Sequence, residues 1–321
     1  MADNLLRGAP PDRVRARLEQ AGVPRRLALR GLAELVNSPV FGAGRRYARA
    51  TSRLELVLRL LRLHRTFAPR PLEIERRATP GRDEFFARYL ATNTPAIFSD
   101  LVTAWPAFGK WSPEYFAERY GHVEIKMTAD RESDPDYDQR TAAHTRSVRM
   151  SEFVENVRGA GETNDFYLVA QNKNSALPEL ASLFDDVLLP ADWFEEGRIR
   201  DSSALWFGPA GTVTPLHHDT SNILFCQVYG RKRFRLISPL EVALLDRAKS
   251  LYSTLDPESP ASEQALAGVS VSECVLAPGE ALFLPAGYWH HVRALDVSIG
   301  LAVNHFACPN HFDWYRPGEV A

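Results

Sequence analysis

The sequence predicts a mainly β chain with added helices: a double-sheet jelly roll with flanking helices, preceded by a helical N-terminal segment. Three observations predict it. Short apolar, β-rich runs recur from Leu205 onward, glycine and proline stand at the corners between them, and residues 1–70 show helical periodicity instead. Many short strands with Gly/Pro corners are the mark of two packed antiparallel sheets.

Taken in chain order, the helical segment comes first. Val14, Leu18 and Val23, then Leu27, Leu29, Leu32 and Leu35, recur between arginine-rich faces, and Asn37-Ser38-Pro39 interrupts them. Leu54, Val57, Leu58 and Leu61 follow the i, i+3, i+4, i+7 rule of a single helical stripe that is expected to be buried. Phe67-Ala68-Pro69-Arg70-Pro71 ends the pattern, so the chain divides into a helical Arg-rich segment, 1–75, and a second domain, 76–321. Residues 128–146 read as a polar, solvent-exposed loop with its own aspartate cluster, which could also act as a substrate-recognition lid. Pro178 to Pro190 reads as a helix-like segment outside the barrel. The strands then follow: Leu205-Trp206-Phe207, Ile223 to Tyr229, a turn at Gly230, Phe234 to Ile237, Val269 to Leu276, Ala281 to Leu284 and Val297 to Val303.

Charge separates the two parts. The whole chain carries a net −2, yet residues 1–70 hold 15 arginines and no lysine against 5 acidic residues, a balance of +10 that leaves −12 for the rest. The basic segment suits a nucleic-acid or acidic-partner surface, a membrane-surface helix, a targeting peptide, or a small helical bundle that docks on the acidic domain or on a second copy of the chain, giving a homodimer. With 321 residues and 45% hydrophobic content there is enough chain for one full core plus an accessory segment. Three cysteines (Cys226, Cys274, Cys308) are too few for a disulfide framework and are read as inert thiols. No apolar stretch resembles a signal peptide or a membrane span, so a cytoplasmic location is expected.

The chemistry is carried by His217-His218-Asp219 and, 73 residues beyond His217, by His290. In a strand, residues i and i+2 face the same side, so His217 and Asp219 can reach one ion, with His290 arriving from a second strand. Two imidazoles and a carboxylate with the remaining positions open suit a non-haem ferrous oxygenase. His218 and His291 are expected to point the other way.

The run Trp206-Phe207-Gly208-Pro209-Ala210-Gly211-Thr212-Val213-Thr214-Pro215-Leu216-His217-His218-Asp219, then Gln227-Val228-Tyr229-Gly230-Arg231-Lys232, resembles the JmjC/cupin-like 2-oxoglutarate dioxygenases. Pro278-Gly279-Glu280-Ala281-Leu282-Phe283-Leu284-Pro285 and Tyr288-Trp289-His290-His291 extend the resemblance, which spans roughly residues 80 to 306 and is nearest the protein arginyl and asparaginyl hydroxylase branch. It implies Fe(II) as metal, with 2-oxoglutarate and O2 as cosubstrates. It also implies that Lys232, with the hydroxyls of Thr214 and Tyr167, holds the remote carboxylate of 2-oxoglutarate, that Asn304 faces the iron pocket, and that Trp206 flanks the substrate side chain. One departure stands out. The family's asparagine six residues after the first histidine ligand is Ile223 here, while Asn222 sits one position early, and on a regular strand that shift turns it to the opposite face.

Three functions follow from this reading. The first is hydroxylation of a protein or peptide side chain, releasing succinate and CO2. The second is the same chemistry on a small molecule, a nucleoside or an N-methyl group, and the third is a metal-binding cupin without turnover. An acidic domain with an Asp-rich loop favours a basic substrate.

Overall fold

Alternation along a single strand explains how the second domain is built. The computed structural model describes residues 1–310 except 7, 69–71, 196, 201–202, 242–247 and 250. Its strands in chain order are β1 (Glu75–Arg77), β2 (Ala96–Phe98), β3 (Glu124–Thr128), β4 (Thr145–Arg149), β5 (Ser203–Gly208), β6 (Val213–His218) and β7 (Ile223–Tyr229). They continue as β8 (Lys232–Ile237), β9 (Ala248–Lys249), β10 (Tyr252–Ser253), β11 (Val271–Leu276), β12 (Ala281–Leu284), β13 (Trp289–Ala294) and β14 (Ser298–Val303). In β8, Lys232, Phe234 and Leu236 are buried, whereas Arg233 and Arg235 turn outward to the carboxylate of Glu258. One face of this strand meets the core and the other meets water, as expected for a half-buried sheet.

Two six-stranded sheets result. The first has the order β1-β2-β12-β7-β14-β5 and the second β11-β8-β13-β6-β10-β9, with β3-β4 as a separate pair. Ile97, Phe225 and Leu282 from the first sheet pack with Phe234, Leu236 and Val292 from the second, forming the core of the roll. The other face of the first sheet is covered as well: Phe207 and Phe283 join Phe85, Trp105, Phe116 and Phe153 from the preceding helical segments. Burial on both faces accounts for the unbroken apolar runs of β7 and β12. The Pro178–Asp186 segment is a 3-10 helix whose Leu180 and Leu183 belong to this outer layer. At the β7–β8 turn Gly230 has φ +66°, and a Cβ there would lie 2.0 Å from the carbonyl oxygen of Val297, so only glycine fits.

Residues 1–69 form a second compact unit. Its helices are α1 (Ala2–Leu6), α2 (Pro11–Gln20), α3 (Arg25–Val36) and α4 (Pro39–Arg65), the last starting where Asn37-Ser38-Pro39 interrupts the periodicity. Leu5, Val14, Leu32 and Phe41 make its core, with Leu18 and Leu35 against them. One expectation is corrected here. Leu54, Val57 and Leu61 of the expected buried stripe are exposed, as are Leu27 and Leu29 of the preceding helix. Among the described residues, α4 contributes Phe41 to the unit's own core. The terminating run from Phe67 to Pro71 falls partly on residues 69–71, outside the described residues. No helix among the described residues is long and apolar enough to cross a membrane.

Candidate metal and cosubstrate site

Register brings the ligand candidates together. His290 on β13 pairs directly with His217 on β6, and their ring centroids are 4.1 Å apart. His290 Nε2 lies 3.5 Å from Asp219 Oδ2. One potential ligand atom from each of His217, Asp219 and His290 lies within 4.8 Å of the others. The Nδ1 of His217 faces the carbonyl oxygen of Pro215 at 2.8 Å, and that of His290 faces the carbonyl of Tyr288 at 3.0 Å. A carbonyl can only accept, so each Nδ1 carries a proton and Nε2 is left as the atom that can reach a metal. Burial, reinforced by the neighbouring His217, pushes His290 down to about 4, so its ring is neutral near pH 7.

The adjacent histidines face elsewhere. His218 packs edge-on against Trp289 with centroids 4.6 Å apart. His291 is buried, with Nε2 3.8 Å from Asp256, and burial pushes it down to about 4 as well.

A bulge then aligns the Thr214 hydroxyl with the face that carries the ligand candidates. His290 pairs with His217 but Val292 pairs with Thr214, so His291 stands opposite two residues, Pro215 and Leu216. Pro215, with no N–H to contribute to the ladder, suits this position. The extra residue lets Thr214 and His217, three apart in sequence, line the same cavity.

That cavity, about 240 Å³ between the sheets, is lined by all three ligand candidates and by Tyr167, Trp206, Thr214, Lys232 and Asn304. Lys232 is 1% exposed, and its Nζ donates to the Tyr167 hydroxyl at 2.5 Å. Three rings, Phe225, Tyr167 and Trp206, have centroids 4.9, 5.2 and 5.6 Å from that Nζ. Trp206 therefore lies at the Lys232 end of the cavity. No described carboxylate pairs with Lys232, and burial pushes it down to about 7. Burial raises Tyr167, which stays a phenol able to donate. Asn304 Oδ1 and Trp206 Nε1 line the same cavity, buried without a hydrogen-bond partner among the described residues. A buried ammonium lacking an anion, beside orphaned polar atoms, fits a polar, anionic guest.

The asparagine departure resolves structurally. Ile223 lines the cavity. Asn222 faces away, accepting from the Ala286 N–H at 2.9 Å and donating to Asn310 Oδ1 at 2.7 Å. Asn222 thus ties β7 to the loop that leads into His290.

Two cavity residues escaped the sequence reading, Asp138 and Tyr252. The Tyr252 ring stacks over His217 with centroids 5.5 Å apart, and its hydroxyl donates to Asp138 Oδ2 at 2.9 Å. The 128–146 loop, expected to be solvent-exposed, is so only in part, because Arg131, Asp134, Tyr137, Asp138 and His144 are buried. Its local signal was present only as an aspartate cluster that resembled a solvated one.

Comparison with known proteins agrees with this architecture. The Cupin-like domain family matches residues 82–309. Lysine-specific demethylase 8 of Xenopus tropicalis is 30% identical over 233 residues, 70% of this chain and 50% of that protein. Lysine-specific demethylase JMJ30 of Arabidopsis thaliana is 27% identical, covering 71% of this chain and 54% of its own. The human bifunctional peptidase and (3S)-lysyl hydroxylase JMJD7 is 28% identical, covering 65% and 76%. The chain spans about half the length of the first two of these relatives. With two sheets enclosing a His-Asp-His cluster and a profile match over most of its length, the chain belongs to the cupin-like, JmjC-type domain family.

Proposed function

We propose that this protein is an Fe(II)- and 2-oxoglutarate-dependent oxygenase that hydroxylates a side chain of a protein or peptide. The observation that carries this reading is one cavity with a His-Asp-His cluster at one end and, at the other, a buried lysine that pairs with no described carboxylate. Its residues fit both groups. His217, Asp219 and His290 hold the ferrous ion, which together with 2-oxoglutarate supplies the activation of O2 and leaves succinate and CO2 as co-products. Lys232 receives the remote carboxylate through charge-assisted hydrogen bonding, strong in a desolvated pocket. Tyr167 and Thr214 add hydroxyl donors, and Asn304 a polar contact nearer the metal. Ile223, Phe225, Leu284 and Val292 give the cavity apolar walls that limit the entry of water. The peptide substrate is supported by relatives whose names record action on lysine residues.

Incubating the full chain with ferrous iron and 2-oxoglutarate in air is expected to yield slow, iron-dependent succinate without added substrate. Iron and 2-oxoglutarate bound with no succinate formed is the outcome that favours a non-catalytic cupin.

The N-terminal unit is proposed to dock on an acidic surface of this chain or of a second copy, through the exposed apolar residues of α4. A 76–321 truncation is then expected to change oligomeric state or solubility. If the truncation instead stays unchanged in both and loses salt-sensitive nucleic-acid binding, the basic unit serves phosphates.

A further inference from the structure

We propose that Asn93, Asn222 and Asn310 are positioning residues for the metal centre: their side-chain amides clasp the loop that carries Asp219 to the turn that leads into His290, and so set the spacing of two ligands. The inference rests on the metal-site reading above and adds three residues that do not line the cavity. The need for a clasp comes from where the ligands stand. β6 ends at His218, so Asp219 lies one residue beyond the strand. Ladder pairing fixes His217 opposite His290, but it does not fix Asp219. That placement has to come from contacts across the loop.

Asn222 and Asn310 are both buried. Asn310 Oδ1 accepts from the Asn222 backbone N–H at 2.9 Å and from Asn222 Nδ2 at 2.7 Å. Asn310 Nδ2 donates to the Asn222 carbonyl at 3.0 Å and also to the carbonyl of Asn304, whose side chain lines the cavity. Backbone N–H groups only donate and carbonyls only accept, so the orientation of this amide is fixed by its partners. Across the clasp, Asn222 Oδ1 accepts the Ala286 N–H at 2.9 Å, and Asn93 Nδ2 donates to the Ala286 carbonyl at 3.0 Å. The next N–H, of Gly287, donates to the Asp219 carbonyl at 2.9 Å. One residue further, the Tyr288 carbonyl receives His290 Nδ1 at 3.0 Å. A single turn is therefore gripped by two asparagines, bonded to the carboxylate ligand's backbone and bonded to the second histidine's ring. Releasing it frees Asp219 and the ring plane of His290 together. Groups that orient ligands in this way are worth about 10- to 100-fold in metal affinity.

The test titrates cobalt(II) into the full chain and reads both affinity and the visible absorption bands, with urea melts of the metal-free proteins alongside. Asn310→Leu is similar in size and uncharged, so it removes the hydrogen bonds without adding a field at the ion. Asn93→Gly removes one donor at a position with φ +50°, a conformation glycine adopts freely. Cobalt binding is expected to weaken about 30-fold in Asn310→Leu and about 3-fold in Asn93→Gly, the loss of a single neutral hydrogen bond. In both, the cobalt bands are expected to shift, because the bands report the arrangement of the ligands. A clasp that serves only the fold predicts otherwise: a lower urea midpoint, with the affinity and bands of the folded variants as in wild type. That result overturns the proposal. If Asn310→Leu does not fold, Asn93→Gly decides alone, since weakened binding with shifted bands supports the clasp and wild-type binding and bands overturn it. Failure of the wild-type chain to bind cobalt is the separate result that removes the metal-site reading itself.

Discussion

Lys232→Met is expected to weaken 2-oxoglutarate binding by about 100-fold or more while making the cosubstrate-free protein more stable. Both effects come from one buried charge. Lys232 stands at about 7 instead of the ordinary lysine value of 10.5, because burial strips water from its ammonium. At 1.36 kcal/mol for each tenfold change in proton affinity, that displacement is on the order of 5 kcal/mol against the empty fold. The Tyr167 hydroxyl and the three surrounding rings favour the ammonium and offset part of it. A net gain of about 2 kcal/mol for an apolar side chain of similar length is therefore expected. The sign with pH follows. A folded-state value below the unfolded one means that the unfolded chain binds more protons between pH 7 and 10.5, so wild-type stability rises across that window. The advantage of Lys232→Met is accordingly greatest below pH 7 and fades toward pH 10.5, as urea melts at several pH values can read.

Cosubstrate binding is expected to reverse the balance. A dianion beside Lys232 restores the ammonium, so binding above pH 7 takes up a proton and affinity falls as pH rises. Titration calorimetry in two buffers of different ionisation enthalpy measures that proton directly. Unchanged 2-oxoglutarate affinity in Lys232→Met moves the cosubstrate pocket elsewhere. Unchanged affinity between pH 7 and 9 shows that the lysine is already charged in the free protein.

How legible was this site in the sequence? The jelly roll was, because alternation along β8 and unbroken apolar runs in β7 and β12 are local patterns with local causes. The i, i+2 spacing of His217 and Asp219 was equally local. The pairing of His217 with Thr214 on one face was not, since three residues apart on a regular strand they face opposite ways. The bulge at Pro215-Leu216 corrects this, and a proline inside a strand is its only written trace. Asp138 and Tyr252 lie 114 residues apart, and their hydrogen bond depends on how the 128–146 loop folds back over the roll. No periodicity records such a contact. The stripe on α4 fails for the opposite reason. Helical spacing shows which residues share a face, not whether anything covers it.

His217→Ala and His290→Ala are each expected to abolish iron-dependent succinate formation, a loss of about 1000-fold or more, while leaving the fold intact. The two sheets are held by buried apolar side chains, so removing one ligand costs the ion and not the roll. His291→Gln is the contrasting variant: it lies one residue from His290 but faces Asp256, so metal binding should survive. Cobalt(II) absorption titration separates the cases, with weakened binding expected for the two alanine variants and wild-type binding for the third. Acid supplies an independent check. His290 stands at about 4, below the ordinary 6.5, because burial and His217 disfavour its charged form. A depressed histidine leaves the fold fully stabilised above pH 6.5 and progressively less so as pH falls toward 4. His291 stands at about 4 too, so both contribute to acid destabilisation of the metal-free chain. Only His290 should couple that loss to the ion, since a proton on its Nε2 competes directly with the metal. Added metal is therefore expected to shift the acid transition of wild type and of His291→Gln to lower pH, and to leave that of His290→Ala nearly in place. A metal-dependent shift retained in His290→Ala and lost in His291→Gln would reverse the assignment of the two neighbouring histidines.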